Sequence, residues 1–128
     1  MQTYRVDHLH LISPGIEATK NWYCDVFGGR VTFEGEFKGN KVYYLDMNGF
    51  NIILIERLPD EAPLPATIQT RQGLDHFGFA VDDMDAAAAE LKSKGVNFLV
   101  EPMQVRPGLR IAYVEAPDKV RIELSERK

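Results

Sequence analysis

The chain repeats itself. Val6-Asp7-His8-Leu9-His10-Leu11 returns 68 positions later as Leu74-Asp75-His76-Phe77-Gly78-Phe79, and the same shift sets Ile16 on Met84 and Tyr23 on Leu91. Further on, Asn51-Ile52-Ile53-Leu54-Ile55-Glu56-Arg57 matches Arg121-Ile122-Glu123-Leu124-Ser125-Glu126-Arg127 with a shift of 70. Two matches in the same order, differing by one small loop adjustment, require both halves to build the same supersecondary unit.

Each half reads as a strand, a helix and three more strands. Residues 4–11 alternate in polarity, and Pro14-Gly15 breaks the run. Ile16, Tyr23 and Phe27 recur at helical spacing, and Gly28-Gly29 stops that helix. In the second half Asp82 or Asp83 caps a helix carrying Met84, Ala88 and Leu91, with Gly95 beyond it. Strands are expected at 30–35, 41–47 and 51–57, then at 97–101, 109–115 and 120–125. Asn48-Gly49 predicts a two-residue hairpin turn, because both central residues of a type I′ turn need positive φ. The reading is a single α+β domain: module one over 1–57, a Pro-bearing linker over 58–72, and module two over 73–128. The linker is long enough to act as a flap or as a hinge for exchanging halves between chains.

The bulk properties exclude several function classes. At 128 residues, 45% apolar and 27% charged, the chain has the make-up of one globular domain. A net charge of −4 without basic clusters gives no footprint for nucleic acid. No stretch approaches a signal peptide or membrane span, so a cytoplasmic location is the default expectation. Cys24 is the sole cysteine, which leaves no intrachain disulfide. It is expected to pack or face solvent on the first helix.

Strand parity then identifies side chains that share a surface. Phe77, Phe79 and Val81 form an aromatic and aliphatic face suited to lie under the helix, which turns His76, Gly78 and Ala80 to the other side. By the repeat, His8 and His10 take the corresponding places in the first half. On the last strand Ile122 and Leu124 belong under the helix, leaving Arg121, Glu123 and Ser125 opposite. Taken singly, a strand histidine reads as a hydrogen-bonded core or rim residue, and Glu123 as a partner for Arg121. The symmetric placement of both histidines favours a metal instead, since two imidazoles and a carboxylate suit one divalent Fe, Mn, Co, Ni or Zn ion. A buried carboxylate also needs a positive partner.

The His-bearing strand followed by Asn21-Trp22-Tyr23-Cys24-Asp25-Val26-Phe27-Gly28 resembles the opening of the vicinal oxygen chelate superfamily. That superfamily includes glyoxalase I, methylmalonyl-CoA epimerase, fosfomycin-resistance transferases, extradiol dioxygenases and bleomycin-binding proteins. Residues 74–81, and 111–118 continuing to Ile122-Glu123-Leu124, are similar to its second half. The resemblance implies paired βαβββ modules in an open eight-stranded, barrel-like cup around a metal, a small-molecule substrate and a homodimeric assembly. It sets His8, His76 and Glu123 on three of the family's four ligand positions. The fourth falls on Ile53, where glyoxalases and epimerases carry Glu or Gln. Glu56 cannot stand in, because its odd spacing from Ile53 puts it on the opposite face. Ala116 and Lys119 also depart from the family's Asp-Pro-Asp-Gly turn.

The Asn48-Gly49 turn would pair Met47 with Phe50, Asp46 with Asn51 and Tyr44 with Ile53, so Tyr44 is expected beside the vacant corner. It is a candidate proton or hydrogen-bond donor, or an aromatic wall. His10 is the second acid–base candidate, or a cavity-wall histidine. Arg110 leads into a strand whose inward residues are expected to be Ala112 and Val114, making it a candidate for binding a substrate anion at the rim, or a solvated surface arginine. Ile53 itself would line the substrate site. The function implied is a metal-dependent isomerase or lyase acting on a substrate that chelates through neighbouring oxygens. A three-ligand dioxygenase or fosfomycin-type transferase is the alternative among enzymes, and a metal-free drug-binding protein the alternative outside them.

Overall fold

A computed structural model describes residues 2–3, 5–57 and 72–128, which fall in two compact units, Met1–Ala62 and Pro63–Lys128. Apart from Gln72, the expected linker 58–72 lies outside the described residues. The first unit runs β1 (His8–Ile12), α1 (Ile16–Phe27), β2 (Arg30–Phe37), β3 (Asn40–Asp46) and β4 (Asn51–Ile55). The second runs β5 (Phe77–Ala80), α2 (Met84–Ser93), β6 (Phe98–Arg106), β7 (Leu109–Glu115), a single 3₁₀ turn (Pro117–Lys119) and β8 (Arg121–Arg127). Both are βαβββ modules with open four-stranded mixed sheets, ordered β1-β4-β3-β2 and β5-β8-β7-β6. In each, the first strand pairs parallel with the last and the remaining ladders are antiparallel. The internal repeat thus appears as two copies of one topology, as the sequence required.

The first strand is shorter than expected. It begins at His8 because its partner β4 begins at Asn51, so Arg5 to Asp7 have no strand to pair with. Strands β2 and β6 run longer than expected, to tight turns at Lys38-Gly39 and Pro107-Gly108 that join them to β3 and β7. Lys38 and Gly39 both have positive φ (50° and 82°), as do Asn48 and Gly49 (60° and 96°), which is the type I′ requirement. The Asn48-Gly49 register is as counted: Tyr44 faces Ile53 and Asp46 faces Asn51.

The helices stop and start for identifiable reasons. Gly28 closes α1 in the left-handed conformation, its N–H donating to the Cys24 carbonyl. Asp83 caps α2 by accepting from Ala86 N at 3.0 Å. Glu126 reaches from β8 to accept from Met84 N at 2.6 Å, satisfying another free amide of that first turn.

Each helix covers one face of its own sheet. Ile16 and Tyr23 from α1 lie with Leu45, Ile52 and Leu54 at zero exposure. In the second unit Met84 from α2 lies with Ala112, Val114, Ile122 and Leu124, equally enclosed. Full burial of an aliphatic side chain of this size contributes about 1.5–3 kcal/mol. Strand alternation sends the intervening residues to the opposite face, so burial of the Ile52/Leu54 and Ile122/Leu124 pairs decides where Ile53 and Glu123 point. Among the described residues, no helix is long and apolar enough to cross a membrane.

Candidate metal and substrate site

In the second unit, the face away from α2 carries a connected set of polar groups. Glu123, in mid-β8, has Gly78 as its neighbour on β5 and Tyr113 on β7. A side chain at position 78 would bring Cβ to 3.1 Å from the Glu123 carbonyl oxygen, so glycine permits this close pairing. His76, just ahead of β5, sets Nε2 2.9 Å from Glu123 Oε2. Behind the ring, Nδ1 meets Asp75 Oδ2 at 2.6 Å. Asp75 is held in turn by Arg121, which donates through Nη2 to its Oδ1 and, at 3.1 Å, to its backbone carbonyl. Tyr113 stacks edge-on against the His76 ring, centroids 5.0 Å apart, with its hydroxyl 3.4 Å from Nε2. Burial pushes the Tyr113 phenol above its ordinary pKa, and the carboxylates of Glu123 and Asp75 push the same way against Arg121.

The first unit repeats half of this pattern. His8 opens β1 with Nδ1 2.7 Å from Asp7 Oδ2. Two residues on, His10 faces Ile53 on β4, which faces Tyr44 on β3. These three line one pocket of about 290 Å³ with Phe33, Phe37 and Ile55. The Tyr44 ring lies 5.0 Å from that of Phe33. Tyr44 and Ile53 are therefore neighbours as the hairpin register implied, and the parallel β1–β4 ladder sets His10 beside Ile53.

The donor set suits a metal ion. Among the described residues no three His, Cys, Asp or Glu side chains group tightly enough to hold one; of the three expected ligands, His76 and Glu123 are in direct contact. Ionised carboxylates only accept hydrogen bonds, and both ring nitrogens of His76 face one. A neutral imidazole has a single N–H, so the second contact calls for another positive centre, a proton or a metal. With Asp on Nδ1 in both halves, Nε2 is the other nitrogen of each ring, the one that an outer carboxylate leaves for a metal in metal-binding histidines.

One expectation needs correcting. Ala112 and Val114 do not line the polar face: they pair with Leu124 and Ile122 beneath α2, and Tyr113 takes the inward place. Parity on β7 is set by its ladder to β8, and it carries Arg110 to the helix side, where Nη2 donates to Asp85 Oδ1 at 3.0 Å. Arg110 therefore lies on the face opposite Glu123. The alternative reading of Glu123 as a partner of Arg121 is not what the structure shows: Arg121 donates to Asp75. Cys24 is half-buried on α1, and burial raises its thiol pKa.

Tyr113, Asp75 and Asp7 are the residues that sequence reasoning missed. The repeat held the signal for Tyr113, which stands to Glu123 as Tyr44 stands to Ile53.

Comparison with known proteins places this geometry in context. Residues 5–124 match the model of the Glyoxalase/Bleomycin resistance protein/Dioxygenase superfamily. The chain is 32% identical over 129 residues to the uncharacterized protein YwkD of Bacillus subtilis, covering 95% of this chain and 96% of that one. It is 26% identical over 145 residues to the lactoylglutathione lyase of Schizosaccharomyces pombe, covering 97% of this chain but 48% of that enzyme. The chain thus spans about half the length of the yeast protein. Among solved structures, the fosfomycin resistance protein FosX of Listeria monocytogenes superposes with a TM-score of 0.75 at 19% identity, over 99% of this chain and 96% of that one, a likeness of fold.

Proposed function

The chain belongs to the glyoxalase/bleomycin resistance protein/dioxygenase superfamily, and from that premise we propose that it is a metal-dependent enzyme whose ion is held by His8, His76 and Glu123. The doubled Asp–His pair carries this reading: both halves commit Nδ1 to a carboxylate, and in the second half Nε2 already faces Glu123. The ion would be divalent Fe, Mn, Ni, Co or Zn, and the substrate a small molecule offering two neighbouring oxygens. When bound, such an ion supplies Lewis-acid stabilisation of negative charge developing on a substrate oxygen.

The chain's own residues supply the rest. Tyr113, on the Glu123 face, donates its phenolic proton in a hydrogen bond to that oxygen. His10 lies on the same sheet face as His8, two residues along β1, and moves a proton to or from the substrate as general base or acid. Tyr44 and Ile53 shape the wall beside it, with Tyr44 as a second donor. Isomerase or lyase chemistry is the first reading.

Ile53 favours a second reading. It takes the repeat position of Glu123 with an aliphatic side chain, which removes a fourth ligand or base. A dioxygenase or fosfomycin-type transferase, needing three protein ligands, fits that substitution.

Metal analysis of protein purified without chelator tests the proposal. The expected result is about one ion per chain, lost or greatly weakened in His8→Ala, His76→Ala and Glu123→Ala and retained in His10→Ala. Ligand variants that hold metal as tightly as wild type would overturn the assignment, and metal-free wild type would favour a drug-binding protein.

A further inference from the structure

We infer that the first unit binds a neutral aromatic ring that carries an oxygen, which names the class of substrate for the enzyme proposed above. The pocket is lined by that unit alone; only its assignment to the substrate rests on the functional reading.

Two cross-strand rows build the pocket on the face of the first sheet opposite α1. The ladders set His10, Ile53, Tyr44 and Phe33 side by side across the four strands, with Ile12, Ile55, Val42 and Gly35 in the next row. Val42 and Ile55 are buried, whereas Phe33, Phe37 and Tyr44 stay exposed. The cavity of about 290 Å³ thus has an aliphatic floor and aromatic walls. Glycine at 35 makes room for one wall: a Cβ there would stand 2.6 Å from the tip of the Phe33 ring, which lies over bare backbone. The Phe33 and Tyr44 rings are tilted by 50° at 5.0 Å between centroids. Rings arranged in this way accept a third by offset or edge-on contact.

The polar groups decide what else the ligand carries. His10 and Tyr44 stand on either side of Ile53. A phenolic hydroxyl donates or accepts, and a neutral imidazole offers one donor and one acceptor, so an oxygen on the bound ring can use both. Among the described residues that line the cavity there is no Lys or Arg. A compact anion such as a phosphonate would lose its hydration there without a cation in return. Apolar walls with a few polar groups are the make-up of a small-molecule site, and this volume suits a ligand of one or two rings. The equivalent row of the second unit reads Gly78, Glu123, Tyr113 and Val100, a carboxylate and one ring in place of a hydrocarbon and two. Ring recognition is therefore a property of the first module.

Titration of the whole chain with naphthol at neutral pH, followed by naphthol fluorescence with a chelator present, tests the pocket apart from any metal. About one naphthol per chain is expected, and methylphosphonate should not displace it. Phe33→Ala should weaken binding about 10-fold by removing a wall, and Gly35→Ala should weaken it by displacing that ring. Tyr44→Phe should cost about 2–10-fold, one neutral hydrogen bond, while keeping its ring. Val31→Ala, on the same strand but paired with Leu45 on the helix side, should change nothing. Should Phe33→Ala fail to fold, Tyr44→Phe decides. Naphthol binding that none of the pocket variants alters, or its displacement by methylphosphonate, would overturn the inference. So would a Phe33→Ala chain with a changed oligomeric state and an unchanged affinity, which assigns these rings to contact between copies. No naphthol binding by a chain whose metal analysis gives an ion would remove the ring pocket and leave the metal reading. Naphthol bound by a chain that takes up no metal would do the reverse.

Discussion

Tyr113 and Glu123 are direct cross-strand partners, and the tyrosine hydroxyl lies 3.4 Å from the nitrogen of His76 that Glu123 also faces. The first unit has the same relationship between Tyr44 and Ile53, with an aliphatic side chain in place of the carboxylate. One ladder position thus carries a tyrosine in both modules, and only its partner has changed.

Tyr113→Phe keeps the ring against His76 and removes one donor. Metal content should be unchanged, and kcat should fall on the order of 100-fold with little change in KM, as when one donor to a developing oxyanion is lost. Metal analysis beside steady-state kinetics checks this. A parallel loss of metal would make Tyr113 a support for His76 instead of a donor to substrate.

Ile53→Glu tests the vacant corner. With the metal site assembled as proposed, the new carboxylate acquires a cationic partner, so metal binding should tighten and added metal should raise the unfolding temperature. Without such a partner, burying the charge costs several kcal/mol. Thermal melts with and without metal separate the outcomes, and a stability loss that metal does not restore goes against the open-corner reading.

Glu17 gives a pH prediction. Hydrogen bonds from Lys41 and Tyr43 hold its carboxyl down from 4.5 to about 2. A carboxyl whose pKa is lower folded than unfolded adds stability above the unfolded value and loses it as pH falls through the folded one. The contribution should therefore fade from about 4.5 to about 2. Melting temperatures of wild type should drop in that window more steeply than those of Glu17→Gln, and salt should shrink the difference because the pair is exposed. Parallel profiles would show that Glu17 contributes nothing.

We also expect a homodimer. Large exposed apolar side chains gather on β2 (Val31, Phe33, Phe37) and β6 (Met103, Val105), the edge strands of their sheets. Unpaired edges carrying such residues invite a second copy. Sedimentation equilibrium at micromolar concentration should give about twice 14.5 kDa; a purely monomeric profile would refute it.

The parts of this fold legible in the sequence were those with local rules. Asn48-Gly49 declared its turn type, and counting outward from it placed Tyr44 opposite Ile53. The same counting does not carry between β7 and β8, because Pro117–Lys119 form a 3₁₀ turn with Asp118 and Lys119 at positive φ, not a two-residue hairpin. The β7 register therefore comes only from the ladder to β8, which turns Ala112 and Val114 under α2 with Arg110 and brings Tyr113 to the face of Glu123. Parity puts Arg121 on the side of β8 away from the helix, while its partner Asp75 lies 46 positions away in sequence. Parity says which way a side chain points. It does not say which distant group will meet it.

Glycine at 78 and histidine at 10 occupy the same ladder position, one beside Glu123 and the other beside Ile53. Duplicated modules have in this way become specialists: one keeps bare backbone next to an acid, the other an imidazole next to a hydrocarbon. The two halves share a topology, yet an imidazole at 78 would also need the Glu123 backbone carbonyl to give way, since a Cβ there comes within 3.1 Å of it.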